Sequence, residues 1–285
     1  MNMKIKNRHL LMASAAVFLA ACGSPTAAES SSIAVISREQ GSGTRSAFTE
    51  LFGIEKDGTD QTKADGEVTN STAVMMTTVD GNPAAIGYIS LGSLNDQQKA
   101  VSIDGVLPST ETVKDGSYSI VRPFLIVEKE GANNELTEDF KTYILSADGQ
   151  KIIEEAGYVP LDASESYTPA GYTGSITVGG SSSVTPVMEK LAEAYSSLNP
   201  DAQISVLQTD SSTGATLTAE GTYDLGMSSR ELKPEEVQKG LNSTIIAQDG
   251  IAVIVNPENT VENLSKEQVR DIYTGAITAW DEVTQ

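Results

Sequence analysis

Short β-branched runs alternate along this chain with stretches whose apolar residues return every three or four positions. The first run, Ile33-Ala-Val-Ile-Ser, reads as a strand and stops at a glycine-rich loop, Arg38-Glu-Gln-Gly41-Ser42-Gly43-Thr44. Ala47, Phe48, Leu51 and Phe52 then share one helical face. Lys56 to Thr69 is polar and without period, which predicts a surface excursion. Asn70-Ser71-Thr72 opens a helical stretch through Val79. Ala84 to Ser90 and Ile120 to Val127 read as strands, with Arg122-Pro123 at an edge or crossing. Leu136 to Ala156 reads as two helical segments that turn Phe140, Ile144 and Ile153 inward and stop at Gly157. Asp162 to Ser175, rich in Ser, Thr, Pro and Gly, reads as a linker with few anchors.

Beyond it the opening theme returns. Ser175 to Gly179 leads into Gly180-Ser-Ser182-Ser183 and a helix carrying Val187, Met188, Leu191, Ala192, Tyr195 and Leu198, with Met188 as part of the core stripe. Ile204 to Thr209 leads into Asp210-Ser211-Ser-Thr-Gly214, and Tyr223 to Met227 ends at Ser228-Ser229-Arg230. Ile245 to Asn256 suits a buried strand, interrupted by Asp249. Strands alternating with amphipathic helices predict an α/β fold.

The N-terminus belongs to a different class. Lys4, Lys6 and Arg8 precede an apolar run, Leu10 to Ala21, too short for a lasting membrane span. Leu19-Ala20-Ala21-Cys22-Gly23 resembles a bacterial lipobox. The expectation is a signal peptide at 1–21, a diacylglycerol-modified Cys22, and a tether at 22–32 on the outer face of the cell membrane. A plain secretory signal with a stray cysteine is the weaker alternative, because Cys22 is the only cysteine. Without a second one, the exported domain has no disulfide and rests on its core.

Losing the signal removes three of the 19 basic residues and none of the 39 acids, which takes the formal charge from −20 to −23. Nucleic acid, which needs a basic footprint, is excluded as a partner. The sole histidine, His9, leaves with the signal, so Ser–His and Cys–His catalysis and His- or Cys-based zinc sites are excluded as well. No cofactor motif is present, and no G-x-x-x-x-G-K-[ST] loop. An enzyme using Ser42 or Ser182 as nucleophile would need a nearby base, and neither loop carries a Ser-x-x-Lys run. These features predict a chain that is not an enzyme.

The positive chemistry lies in the loops. A Gly/Ser loop entering a helix leaves several N–H groups pointing at one spot and favours an anion there. Arg38 adds a fork able to hold two oxygens at once. Ser42, Thr44 and the later serines add hydroxyl donors. The hypothesis is a small tetrahedral oxyanion gripped by several loops gathered at strand ends. The alternative is a set of ordinary helix caps, a role Ser favours.

Gly180-Ser-Ser-Ser-Val-Thr-Pro, Asp210-Ser-Ser-Thr-Gly, Tyr223-Asp-Leu-Gly-Met-Ser-Ser-Arg and Arg38-Glu-Gln-Gly-Ser-Gly-Thr together resemble the motifs of PstS, the phosphate-binding proteins of high-affinity phosphate ABC importers. The likeness covers nearly all the chain from Ile33, but the order differs. In most of the family the Gly180-type motif comes first, and the Arg38-type motif follows a segment like Thr274-Gly-Ala-Ile-Thr-Ala-Trp280, which here ends the chain. The chain therefore resembles a circular permutant, a form similar to some streptococcal relatives.

The resemblance implies a two-lobed, type II periplasmic-binding-protein-like fold. Residues 33–116 with 258–285 would form one lobe and 117–257 the other, with hinge crossings near 115–119 and 255–258. It implies ligand contacts from Arg38, Ser42, Gly43, Thr44, Ser182, Ser183 (through its N–H) and Ser211. Ser229 stands where many relatives have an Asp able to accept the proton of phosphate. Asp249 is the first candidate to replace that acid and Asp210 the second, while Arg230 is a candidate to pair with such an acid. The implied partners are inorganic phosphate and a permease–ATPase complex. Sulfate or molybdate is the alternative ligand. A surface adhesin or signalling lipoprotein is the alternative class; it would not need a closing cleft and should show no ligand-dependent change in Trp280 fluorescence or scattering radius.

Overall fold

The computed structural model describes residues 32–132 and 134–283. The expected signal peptide, Cys22 and the tether up to residue 31 lie outside the described residues. Val35, Ile36 and their small neighbours form β1 (Ala34–Arg38), buried on both faces as an inner parallel strand requires. After the glycine-rich loop comes α1 (Gly43–Leu51), capped by the Ser42 hydroxyl. The polar stretch holds a short hairpin, Glu55–Lys56 with Thr59–Asp60, and then β2 (Glu67–Thr69). The sequence shows no period there because β2 is only three residues long and lies at the end of the sheet with Val68 exposed. Next come α2 (Thr72–Asp80) and β3 (Ala85–Ser90).

The middle of the chain supplies β4 (Val121–Lys129), α3 (Glu135–Leu145) and α4 (Ala147–Glu155). Then follow β5 (Gly174–Ser181), α5 (Thr185–Leu198), β6 (Ala202–Thr209), α6 (Ser211–Ala219) and β7 (Leu225–Ser228). The long β8 (Leu241–Val255) and α7 (Lys266–Thr274) complete the described chain. Among the described residues the main sheet runs β6-β5-β7-β4-β8-β3-β1-β2. β5 is parallel to β6 and β7, and β1 is parallel to β2 and β3; β4 and β8 are antiparallel to their neighbours.

β8 serves both halves of this sheet. Leu241 to Gly250 pair with β4, and Ile251 to Val255 pair with β3. The partner changes between Gly250 and Ile251, where the Ile251 N–H donates to Ile120. Core membership follows the same line. Ile251, Val253 and Val255 pack with Ile33, Val35, Phe48, Tyr88, Ile120 and Tyr273, and Ala252 and Ile254 pack with α2 on the opposite face. Phe124, Ile126, Phe140, Ile144, Val178, Val187, Met188, Leu191, Tyr195 and Ile246 form the core of the other half, backed by Val127, Ala215 and Leu241. The change of strand partner at 250–251, with Ile251, Val253 and Val255 in the first core, falls inside the span expected at 117–257.

Two segments bear on the chain order. The linker is better anchored than its composition suggests: the Ala147 N–H donates to Glu165, and the Tyr167 N–H to Asp148. The Tyr167 hydroxyl donates to Asp139. Pro169 to Thr173 remains mostly exposed. At the other end Ser32 bridges Ala279 and the Ile33 N–H donates to Thr278, so the described chain begins beside its own end.

Candidate oxyanion-binding site

The carboxyl ends of β1, β5, β6 and β7 each run into a Ser-bearing turn, and in three of the four a helix begins there at once. Arg38 is the last residue of β1 and is 1% exposed. Its N–H donates to the Tyr88 hydroxyl, whose ring stacks on Phe48 at 3.8 Å, so the first core holds the arginine's backbone. The guanidinium donates through Nε and Nη2 to the two oxygens of Glu39 at 2.8 and 2.7 Å. Nη2 also donates to Ser182 Oγ at 3.0 Å, across from one half of the sheet to the other.

The rest of α1's entry crosses in the same way. Thr44 Oγ1 lies 2.9 Å from Ser183 Oγ. Gly43 faces the hydroxyls of Ser211 and Ser229 so closely that a Cβ there would collide with both, which is why this position needs glycine. Ser42 caps α1 through the Arg45 N–H, and Arg45 Nη1 donates back to the Arg38 carbonyl. On the opposite side Ser181 Oγ donates to Ser229 Oγ at 2.9 Å, and the Ser229 N–H donates to Ser211 Oγ at 3.2 Å. Gly180, at φ 146°, holds this turn against the Met227 backbone, where any side chain would clash. The N-termini of α1, α2, α5 and α6 therefore meet at one place with their hydroxyls turned inward. Each helix end contributes partial positive charge there.

The acids beside the cage are all engaged. Asp210 caps α6, accepting from the Thr213 N–H and hydroxyl at 2.9 and 2.6 Å. Asp249 is fully buried. Its Oδ2 accepts from Arg122 Nε and Nη2 at 3.0 and 2.9 Å, and its Oδ1 accepts from Ser90 at 2.9 Å. Burial pushes the Asp249 carboxyl above its ordinary pKa, while Arg122 and the Ser90 hydroxyl pull it down. The remaining Arg122 donor, Nη1, reaches the Ser229 carbonyl at 3.3 Å. Arg230 is held by Glu236 through two bonds of 2.8 and 2.7 Å and donates to Ser212. Burial alone would raise the Glu236 carboxyl; Arg230 and the Lys233 N–H bring it below its usual value.

A family model described as "PBP superfamily domain" matches residues 22–148 and 165–285. "Phosphate-binding protein PstS 2" of Streptococcus agalactiae is 50% identical over 94% of this chain and 93% of its own. The chain belongs to the PstS family. A crystal structure of a phosphate ABC transporter phosphate-binding protein from Streptococcus pneumoniae is 45% identical, covers 89% of this chain and all of its own, and superposes with a TM-score of 0.71. "Phosphate-binding protein PstS" of Staphylococcus aureus is 40% identical, but over only 36% of this chain and 34% of its own.

Within this PstS chain the residues named by resemblance mostly converge. Arg38, Gly43, Thr44, Ser182, Ser183, Ser211 and Ser229 stand in mutual contact, and Ser42 caps the helix they share. Asp249, expected to accept a ligand's proton, instead accepts from Arg122 at Oδ2 and from Ser90 at Oδ1. Asp210 is likewise occupied as a cap, and Arg230 pairs with Glu236 rather than with either candidate acid. Trp280 donates its indole N–H to Ala84 and packs on the first core, so its fluorescence is a poor reporter of the cage. Two residues in contact with this cluster were not singled out by the sequence reading. Arg122 was legible in principle, as one of two charges interrupting apolar strand runs, the other being Asp249. Thr72 carries the same helix-opening hydroxyl signature as the other loops.

Proposed function

We propose that this chain captures inorganic phosphate in the cage between two lobes and delivers it to the permease–ATPase complex of an ABC importer. It would work from the outer face of the cell membrane, held there by lipid on Cys22. The observation that carries this reading is Arg38 donating to Ser182 across the sheet's two halves, with Thr44, Ser183, Ser211 and Ser229 around it. Hydroxyls and helix ends disperse a bound anion's charge without needing many cations. Local donors are required, because the mature chain's strongly negative charge repels phosphate at long range. The PstS relatives support the same ligand class.

Closure would be a rigid-body swing about the crossings at 119–121 and 250–251. Opening would part Arg38 from Ser182 and Thr44 from Ser183 while each half keeps its own core. Calorimetry on phosphate-stripped mature protein should show phosphate outcompeting sulfate and molybdate, together with a fall in scattering radius on binding. No heat with phosphate would end this reading, and tighter binding of sulfate or molybdate would move it to that oxyanion.

The circular permutation belongs to the same proposal. A short partial match to the staphylococcal protein beside near-full matches to streptococcal ones is what a changed segment order produces. The adjacency of Ser32 and Ala279 supports it too. Joining Val283 to Ser32 and opening the chain between Ala170 and Gly171 should yield a folded protein with unchanged phosphate affinity. Failure of this rearranged chain to fold would count against the permutation.

A further inference from the structure

The motifs that carry the family resemblance leave α2 out, yet its first residue sits among them. β2 runs parallel to β1 with Thr69 opposite Arg38, the Glu39 N–H donates to the Thr69 carbonyl, and Thr69 Oγ1 donates to the Ser37 carbonyl. The chain therefore enters α2 beside the guanidinium. Ser71 spends its side chain on the cap, accepting from the Val74 N–H, which leaves the Thr72 hydroxyl for another partner. Thr72 is 5% exposed, and its Oγ1 lies 3.3 Å from both Ser182 Oγ and Ser183 Oγ, in the opposite half. Those two serines are also the partners of Arg38 and Thr44.

We propose that Thr72 is a positioning residue of the cage: its hydroxyl joins Ser182 to Ser183, aims both O–H groups, and adds a contact across the cleft that exists only when the halves are closed. This rests on the phosphate reading above. The physical ground is the inventory of a hydroxyl, which has one proton to give and two lone pairs to receive. Placed between two other hydroxyls, it fixes the direction of each, and removing it leaves Ser182 Oγ with only the Arg38 donor and Ser183 Oγ with only Thr44 in the closed state. An open state, with the serines facing water, loses nothing. Thr72 should therefore act on ligand affinity and leave the stability of the phosphate-free protein alone.

The test is calorimetry with inorganic phosphate on the parent protein, Thr72→Val and Thr72→Ser, with thermal unfolding of each phosphate-free protein alongside. Thr72→Val keeps the side-chain shape and removes the hydroxyl. It should bind phosphate about tenfold more weakly with an unchanged melting temperature, and Thr72→Ser should stay near the parent. Equal affinity for parent and Thr72→Val would overturn the proposal, as would an equal loss in Thr72→Ser, which would point to packing of the methyl group. A parent protein that binds no phosphate would instead defeat the phosphate reading itself.

Discussion

Replacing Arg38 by alanine should weaken phosphate binding by about a hundredfold or more. The guanidinium is buried, lies at the end of the first strand, and reaches across to Ser182 while Glu39 holds its other edge. Removing one partner of a buried charged contact costs on the order of 3–5 kcal/mol, and roughly 1.4 kcal/mol is a factor of ten in affinity. Arg38→Lys should fall between the two, because an ammonium cannot engage both Glu39 oxygens in the plane that also serves Ser182. Titration calorimetry decides the matter: an Arg38→Ala affinity equal to the parent's would take this residue out of the site. Glu39 sits partly exposed, so the loss should appear in binding far more than in folding.

Asp249→Ala should lower the melting temperature on the order of 10 °C. It strands the Arg122 guanidinium in a fully buried place with only a carbonyl and the face of Phe124 for company. An unpaired buried charge costs about 3–5 kcal/mol, and a chain of this size loses roughly 2–4 °C per kcal/mol. The double variant Arg122→Met/Asp249→Leu should recover most of that stability, since apolar replacement of both partners removes the desolvation burden. Scanning calorimetry of both variants tests this. A single variant as stable as the parent would mean that the pair contributes nothing to the crossing.

Fold class and most of the elements were legible because strands and helices write their burial into the chain at periods of about 2.0 and 3.6 residues. The four loops were legible for a related reason. Serines and glycines at the junction of strand and helix are demanded locally, by caps and by backbone geometry, before any ligand is considered. β2 left no signal, since three residues, two of them with exposed side chains, carry no pattern. The fate of Asp249 was invisible in one dimension: an acid in an apolar run announces that it has a partner, without saying whether that partner is a ligand or Arg122 across a strand pair.

The sequence by itself determined an α/β chain with Ser- and Gly-bearing strand ends, one arginine-headed loop, no histidine beyond His9 and a strongly negative charge. Each of these is a property of residues or of near neighbours in the chain. Only the tertiary structure decided which loops meet and where β8 passes from one half to the other. It alone showed that the acids beside the cage are engaged and that Thr72 belongs with Ser182 and Ser183. Most of those outcomes rest on contacts between residues more than a hundred positions apart, such as Arg38 with Ser182 and Arg122 with Asp249, and such contacts follow from packing rather than from local pattern.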